Sequence, residues 1–154
     1  MINRCVFETK GYSIIFELKS NNLELGVVDL LLEFQLNPHI KDFSIRSIPS
    51  YIDLKDLERL ATYLETHIAS LIQNPDSESE FFVDYGLGFQ LQALEGDVDL
   101  KNDGEFSIIV LVDVGEYEKG SCHTYVGGLS VVTVEKTQKF ISSIYAALTK
   151  FSHY

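Results

Sequence analysis

Cysteine is scarce in this chain: Cys5 and Cys122 are the only two in 154 residues. A small secreted scaffold held by disulfides carries many more, so both read as free thiols and a reducing, cytoplasmic setting is expected. No stretch reaches about 18 uninterrupted apolar residues, so no membrane-crossing helix is expected. The opening MINRCVFETK has no apolar run before its charges, and no signal peptide is expected there. Internal repeats and low-complexity tracts are absent.

The usual metal-binding spacings are missing too. The sequence holds neither C-x-x-C nor H-x-x-x-H, and His39, His67 and His153 are scattered. Cys122 and His123 are adjacent, but neighbours on a strand point to opposite faces and cannot easily share an ion. Asp97–Glu105 (DVDLKNDGE) superficially resembles a calcium loop. In the register from Asp97 the fifth position is Lys101, and in the register from Asp99 the third is Lys101, where an oxygen ligand is required. A hairpin loop with Asp103-Gly104 as its turn is the expectation. No metal or cofactor is expected.

Bases are the third scarcity, and they are unevenly spread. The net charge is −11, with 23 acids against 12 bases. Residues 51–100 hold eleven acids and two bases, Lys55 and Arg59, so nine of the eleven excess charges lie there. Direct binding to nucleic acid or to an anionic membrane needs the opposite sign. A basic protein partner fits it.

What the chain does have is core material. With 45% hydrophobic and 12% aromatic residues it can build one domain over residues 1–154 without staples. Strands are predicted at Cys5–Thr9 and, after a Lys10-Gly11 turn, at Gly11–Leu18, where Tyr12, Ile14, Phe16 and Leu18 share a face. Further strands are predicted over Leu23–Leu36 and Phe43–Ile48. The period then changes. Leu57, Leu60, Ala61, Leu64, Ile68 and Leu71 recur at three and four, marking an amphipathic helix from Asp53, its N-cap, to Ile72. Four more strands follow: Glu80–Tyr85, Gly88–Leu94, Glu105–Val114 and His123–Thr133, the last with a bulge or bend at Gly127-Gly128. A second helix closes the chain, capped by Thr133 or Thr137, with Phe140, Ile141, Ile144, Leu148 and Phe151 on one face. The order ββββαββββα, with short hairpin connections, predicts an α+β fold. About eight antiparallel strands would form one curved sheet with both helices on one face.

No constellation supplies nucleophile, base and orienter together, so no enzyme is expected. Cys122 has no activating context, Ser130 is not in a G-x-S-x-G elbow, and Gly86-Leu-Gly88 sits between strands, as a hairpin turn would. The acids remain. Asp76, Glu78, Glu80 and Asp84 precede or enter one strand, and Glu95, Asp97 and Asp99 follow the next. Pairing of these strands through Gly86–Gly88 would gather Glu78, Glu80, Glu95 and Asp97 at the far end. These seven acids are the expected partner-binding residues. The competing readings are a merely solvated sheet edge and a small-ligand or regulatory domain binding between sheet and helices.

The element order resembles that of the WapI-like immunity proteins, which accompany bacterial contact-dependent toxins. The resemblance covers nearly the whole chain. It rests on Phe7–Tyr12 (FETKGY), Leu31–Phe34 (LLEF), Asp56–Leu64 (DLERLATYL), Phe89–Gly96 (FQLQALEG) and Phe140–Tyr145 (FISSIY). After Phe140 the strongly basic end associated with that family is lacking. The resemblance implies a non-enzymatic cytoplasmic protein that binds and neutralises a basic toxin domain, often a nuclease.

Overall fold

The computed structural model describes residues 2–116 and 123–152. Cys122 and His153 lie outside the described residues. The elements run β1 (Ile2–Glu8), β2 (Tyr12–Asn22), β3 (Val27–Leu36), β4 (Ser44–Arg46), β5 (Ser50–Asp53), α1 (Leu54–Gln73), β6 (Phe82–Val83), β7 (Phe89–Val98), β8 (Gly104–Glu116), β9 (His123–Thr133) and α2 (Val134–Phe151). The α+β class and the strand and helix order are those expected, but the strands form two antiparallel sheets and not one. The first sheet runs β1-β2-β3-β4, with β5 also on β3, and the second runs β6-β7-β8-β9.

The physical reason for two sheets lies at their edges. Side chains of α1 occupy the free edge of β6, so no strand of the first sheet can pair there. The sheets meet instead through isolated bonds: Ile48 N–H to the Asp113 carbonyl at 3.0 Å and Lys10 N–H to the Val131 carbonyl at 2.8 Å. The first of these explains the split between β4 and β5. Both lie on β3, β4 against Glu33–Gln35 and β5 against Val27–Leu30. Between them Ser47 keeps hold of β3, giving its N–H to the Leu32 carbonyl at 2.8 Å and taking the Leu32 N–H on its hydroxyl at 2.9 Å. Pro49 has no N–H to continue the ladder. The predicted strand over 43–48 is therefore shorter, and β5 is an additional strand.

Other boundaries also differ. The chain from Leu23 to Leu25 is a 3-10 turn ended by Gly26 in the left-handed region, and β3 starts after it. Gly127 and Gly128 pair regularly with Leu111 and Val110; the β8–β9 irregularity lies at Asp113–Gly115. A Cβ on Gly127 would stand 1.8 Å from the Val110 carbonyl oxygen, so glycine there permits close strand approach. Between β7 and β8 both Asn102, at φ 57°, and Gly104, at φ 135°, have positive φ, on either side of Asp103 in the expected Asp103-Gly104 turn. The Asp99 carboxylate holds that loop by accepting the N–H groups of Lys101 and Asp103.

Asp53 caps α1 by accepting the Lys55 N–H at 2.8 Å, and Thr133 caps α2 by accepting the Lys136 N–H at 3.1 Å. Each helix turns its apolar stripe into one core shared with both sheets. Aromatic rings run through this core. Phe140 of α2 lies 4.9 Å from Phe7 and 5.2 Å from Phe16, and Phe16 lies 5.2 Å from Phe89 of the second sheet. Phe89 stacks on Phe82 at 5.8 Å, which reaches the face of α1. Each such pair contributes about 0.5–1.5 kcal/mol beyond the area it buries. Among the described residues, no helix is long and apolar enough to cross a membrane.

Candidate functional site

The acidic stretch between α1 and β6 is an extended strap with little regular pairing of its own. Its order comes from one polar stripe of α1. Asp56, Arg59, Tyr63 and His67 follow one another at three and four residues, and so line one side of the helix. Asp56 accepts the Tyr85 N–H at 3.1 Å. Arg59 donates to the Val83 carbonyl at 2.6 Å and to Asp56 at 3.1 Å, with its guanidinium 4.0 Å over the Phe82 ring. The Tyr63 hydroxyl donates to the Glu80 carbonyl at 2.6 Å and accepts the Ala93 N–H at 3.0 Å.

His67 ends the stripe. Its imidazole is fully buried, 2.7 Å from both the Ser79 hydroxyl and the Leu94 carbonyl. A carbonyl only accepts, so Nε2 carries the proton and Nδ1 accepts from Ser79. Burial holds this histidine below its ordinary value of 6.5, opposed by the Leu94 bond. The strap is also tied to β7, through Ser79 N–H to the Ala93 carbonyl at 3.0 Å and Gly96 N–H to the Pro75 carbonyl at 3.1 Å.

These ties sort the side chains. From Asp76 to Glu80, acids and serines alternate. Ser77 and Ser79 are half-buried, on Ser70 of α1 and on His67, while Asp76, Glu78 and Glu80 are exposed. Glu95, Asp97 and Asp99 are exposed along the end of β7 and its loop. The backbone bonds of Ser79 and Gly96 lay residues 75–79 beside 93–96, so Glu95 runs alongside the strap acids, with Asp97 and Asp99 further along β7 and its loop. Among the described residues, none of these six forms an ion pair. The last turn of α1 carries no base, so its partial negative charge faces the start of the strap uncompensated. Opposite Asp97 on β8 stands Glu105, which Lys10 engages at 2.5 Å.

Asp84 is the exception among the seven expected partner-binding acids. It is 1% exposed and cannot present its charge to a partner. The β6 alternation turns Phe82 and Asp84 inward and Phe81 and Tyr85 outward, so Asp84 sits beneath the turn that follows and accepts the Phe89 N–H at 3.4 Å.

Sequence reasoning missed Arg59, Tyr63, His67 and Ser79 as the groups that hold the acids outward. Their signals were present: a polar stripe beside the apolar one on α1, and the alternation SESE. Elsewhere, Cys5 is buried and unpaired, and burial raises its thiol. A groove of about 700 Å³ on the outer side of the first sheet is lined by Leu25, Val27, Leu31 and Tyr51 with Glu17 and Lys19. No group of three or more His, Cys, Asp or Glu is arranged to hold a metal among the described residues. In comparisons with known proteins, no family model matches the sequence and no curated protein matches it.

Proposed function

We propose that this chain is a non-enzymatic acidic binding protein of the immunity type, which neutralises a basic toxin domain such as a nuclease in the bacterial cytoplasm. The observation that supports it is this set of carboxylates. Asp76, Glu78, Glu80, Glu95, Asp97 and Asp99 are exposed, without described ion-pair partners, and carried on backbone that α1 and β7 hold in place. Charges that only keep an edge in water need no such fixing, whereas a docking surface gains from it, because fixed charges require less ordering on binding. A like-signed patch draws a cationic partner and speeds encounter by about 10- to 1000-fold at low salt.

The test is to look for a basic toxin domain encoded beside this gene and to titrate the protein against it by calorimetry at low and high salt. A stoichiometric complex that weakens as salt rises supports the reading. Tight binding indifferent to salt removes the role given to the acids, and no binding removes the immunity reading. A small-ligand reading has the groove over Leu25, Val27 and Tyr51, which lies on the outer side of the first sheet and not between sheet and helices as expected. Thermal shifts against a metabolite set test it.

A further inference from the structure

Two buried carboxylates lie beneath the turn from Asp84 to Gly88. Asp56, on the first turn of α1, is fully used: one oxygen takes Arg59 and the other takes the Tyr85 N–H. Asp84 accepts the Phe89 N–H on Oδ1, while its buried Oδ2 has no hydrogen-bond partner among the described residues. The two acids therefore hold Tyr85 and Phe89, on either side of one turn, from below.

The surroundings offer Asp84 little compensation. Arg59 is turned to Asp56 and to the Val83 carbonyl. From β9, Tyr125 donates its hydroxyl to the Leu87 carbonyl at 3.0 Å, and Gln90 of β7 reaches that same tyrosine. Asp113 of β8 is buried, with His123 of β9 at 2.7 Å. From β5, the Tyr51 carbonyl faces Gly86, so close that a Cβ there would stand 2.3 Å from it. The two basic side chains in this set, Arg59 and His123, are thus engaged by other carboxylates.

We propose that the Asp56–Asp84 pair is a proton-linked latch: Asp84 is a neutral acid while the turn is closed over it, and losing its proton to water loosens the turn. A protonated carboxyl is neutral, whereas the carboxylate would leave a buried charge with an unmet oxygen. Burial pushes Asp84 up to about 6, against backbone N–H bonds that favour the charged form and with Asp56 adding repulsion. The turn has reason to relax once released. Leu87 stands at φ 54°, a strained region for leucine, held by Tyr125 and by its own N–H on the Asp84 carbonyl. What the latch presents is exposed Tyr85 and Leu87, the former 84% accessible. This holds whether or not the toxin-binding reading does.

The test is a carbon-13 carboxyl titration of the whole protein by NMR, with protection of the Tyr85 and Phe89 amides measured at about pH 5 and pH 7.5. The site-resolved signal reports the Asp84 carboxyl by itself. Asp84 is expected to titrate near 6. Protection of both amides should fall as the pH rises, by roughly tenfold between pH 5 and pH 7.5. Asp84→Asn should keep the protection high at both pH values. Titration of Asp84 in the ordinary carboxylate range, protection unchanged with pH, or an Asn variant that follows the wild type overturns the proposal. Should that variant not fold, the wild-type titration decides.

Discussion

His67 and Ser79 are joined by a 2.7 Å hydrogen bond between a fully buried imidazole and the half-buried hydroxyl that separates Glu78 from Glu80. This contact fixes the parity of the strap. With Ser79 turned in, both glutamates must turn out, because side chains of an extended chain alternate. His67→Ala removes the imidazole and both of its bonds, and is expected to destabilise the protein by about 2–4 kcal/mol in urea unfolding.

The same histidine sets a pH dependence. Its folded value lies below 6.5, so the unfolded chain binds the proton more readily. Stability should therefore fall as the pH drops below about 6.5, and go on falling until the folded form also protonates. His67→Gln should flatten that acid arm, as urea midpoints across pH will show.

Asp84 acts with the opposite sign. Its folded value is raised from 3.8 to about 6, so its ionisation penalises the fold fully above 6 and not at all below 3.8. Asp84→Asn is expected to stabilise the protein at neutral pH by about 2–3 kcal/mol and to add nothing near pH 4. The difference between the two unfolding profiles measures this directly.

Tyr63→Phe keeps the ring against Phe82 but leaves the Glu80 carbonyl and the Ala93 N–H without their partner. A loss of about 1–3 kcal/mol is expected, with an unchanged urea slope.

Ser47→Ala tests the link between β4 and β5, which Ser47 ties to β3. The Leu32 N–H loses its acceptor in the interior, at a cost of about 1–3 kcal/mol. Exchange at the Leu32 amide should quicken more than exchange at Phe16, which lies within the regular ladder.

The sequence made the regular elements legible where one period ran long enough. The Tyr12–Leu18 alternation and the Leu57–Leu71 stripe both turned inward, and Asp53 and Thr133 are the caps. Sheet closure was not legible, because it depends on which edges side chains from elsewhere occupy. Nothing local to Phe82-Val83 says that Arg59 takes the Val83 carbonyl and Asp56 the Tyr85 N–H. Asp84 was misplaced for a related reason. Alternation from Phe81 to Tyr85 allows either face to be the inner one, and a charged residue counts against burial unless its backbone partners are known. The six exposed acids were legible from their spacing, whereas the contacts that hold them needed the fold.

The most direct test of the account is the association rate of this protein with a basic toxin domain, its proposed partner, read by stopped flow at low and high salt. The comparison is between wild type and a variant carrying Glu78→Lys, Glu80→Lys, Glu95→Lys and Asp97→Lys. The account predicts a wild-type rate that drops with salt, and a variant at least about tenfold slower at low salt with the same thermal unfolding. Equal rates for the two proteins, unaffected by salt, would contradict it.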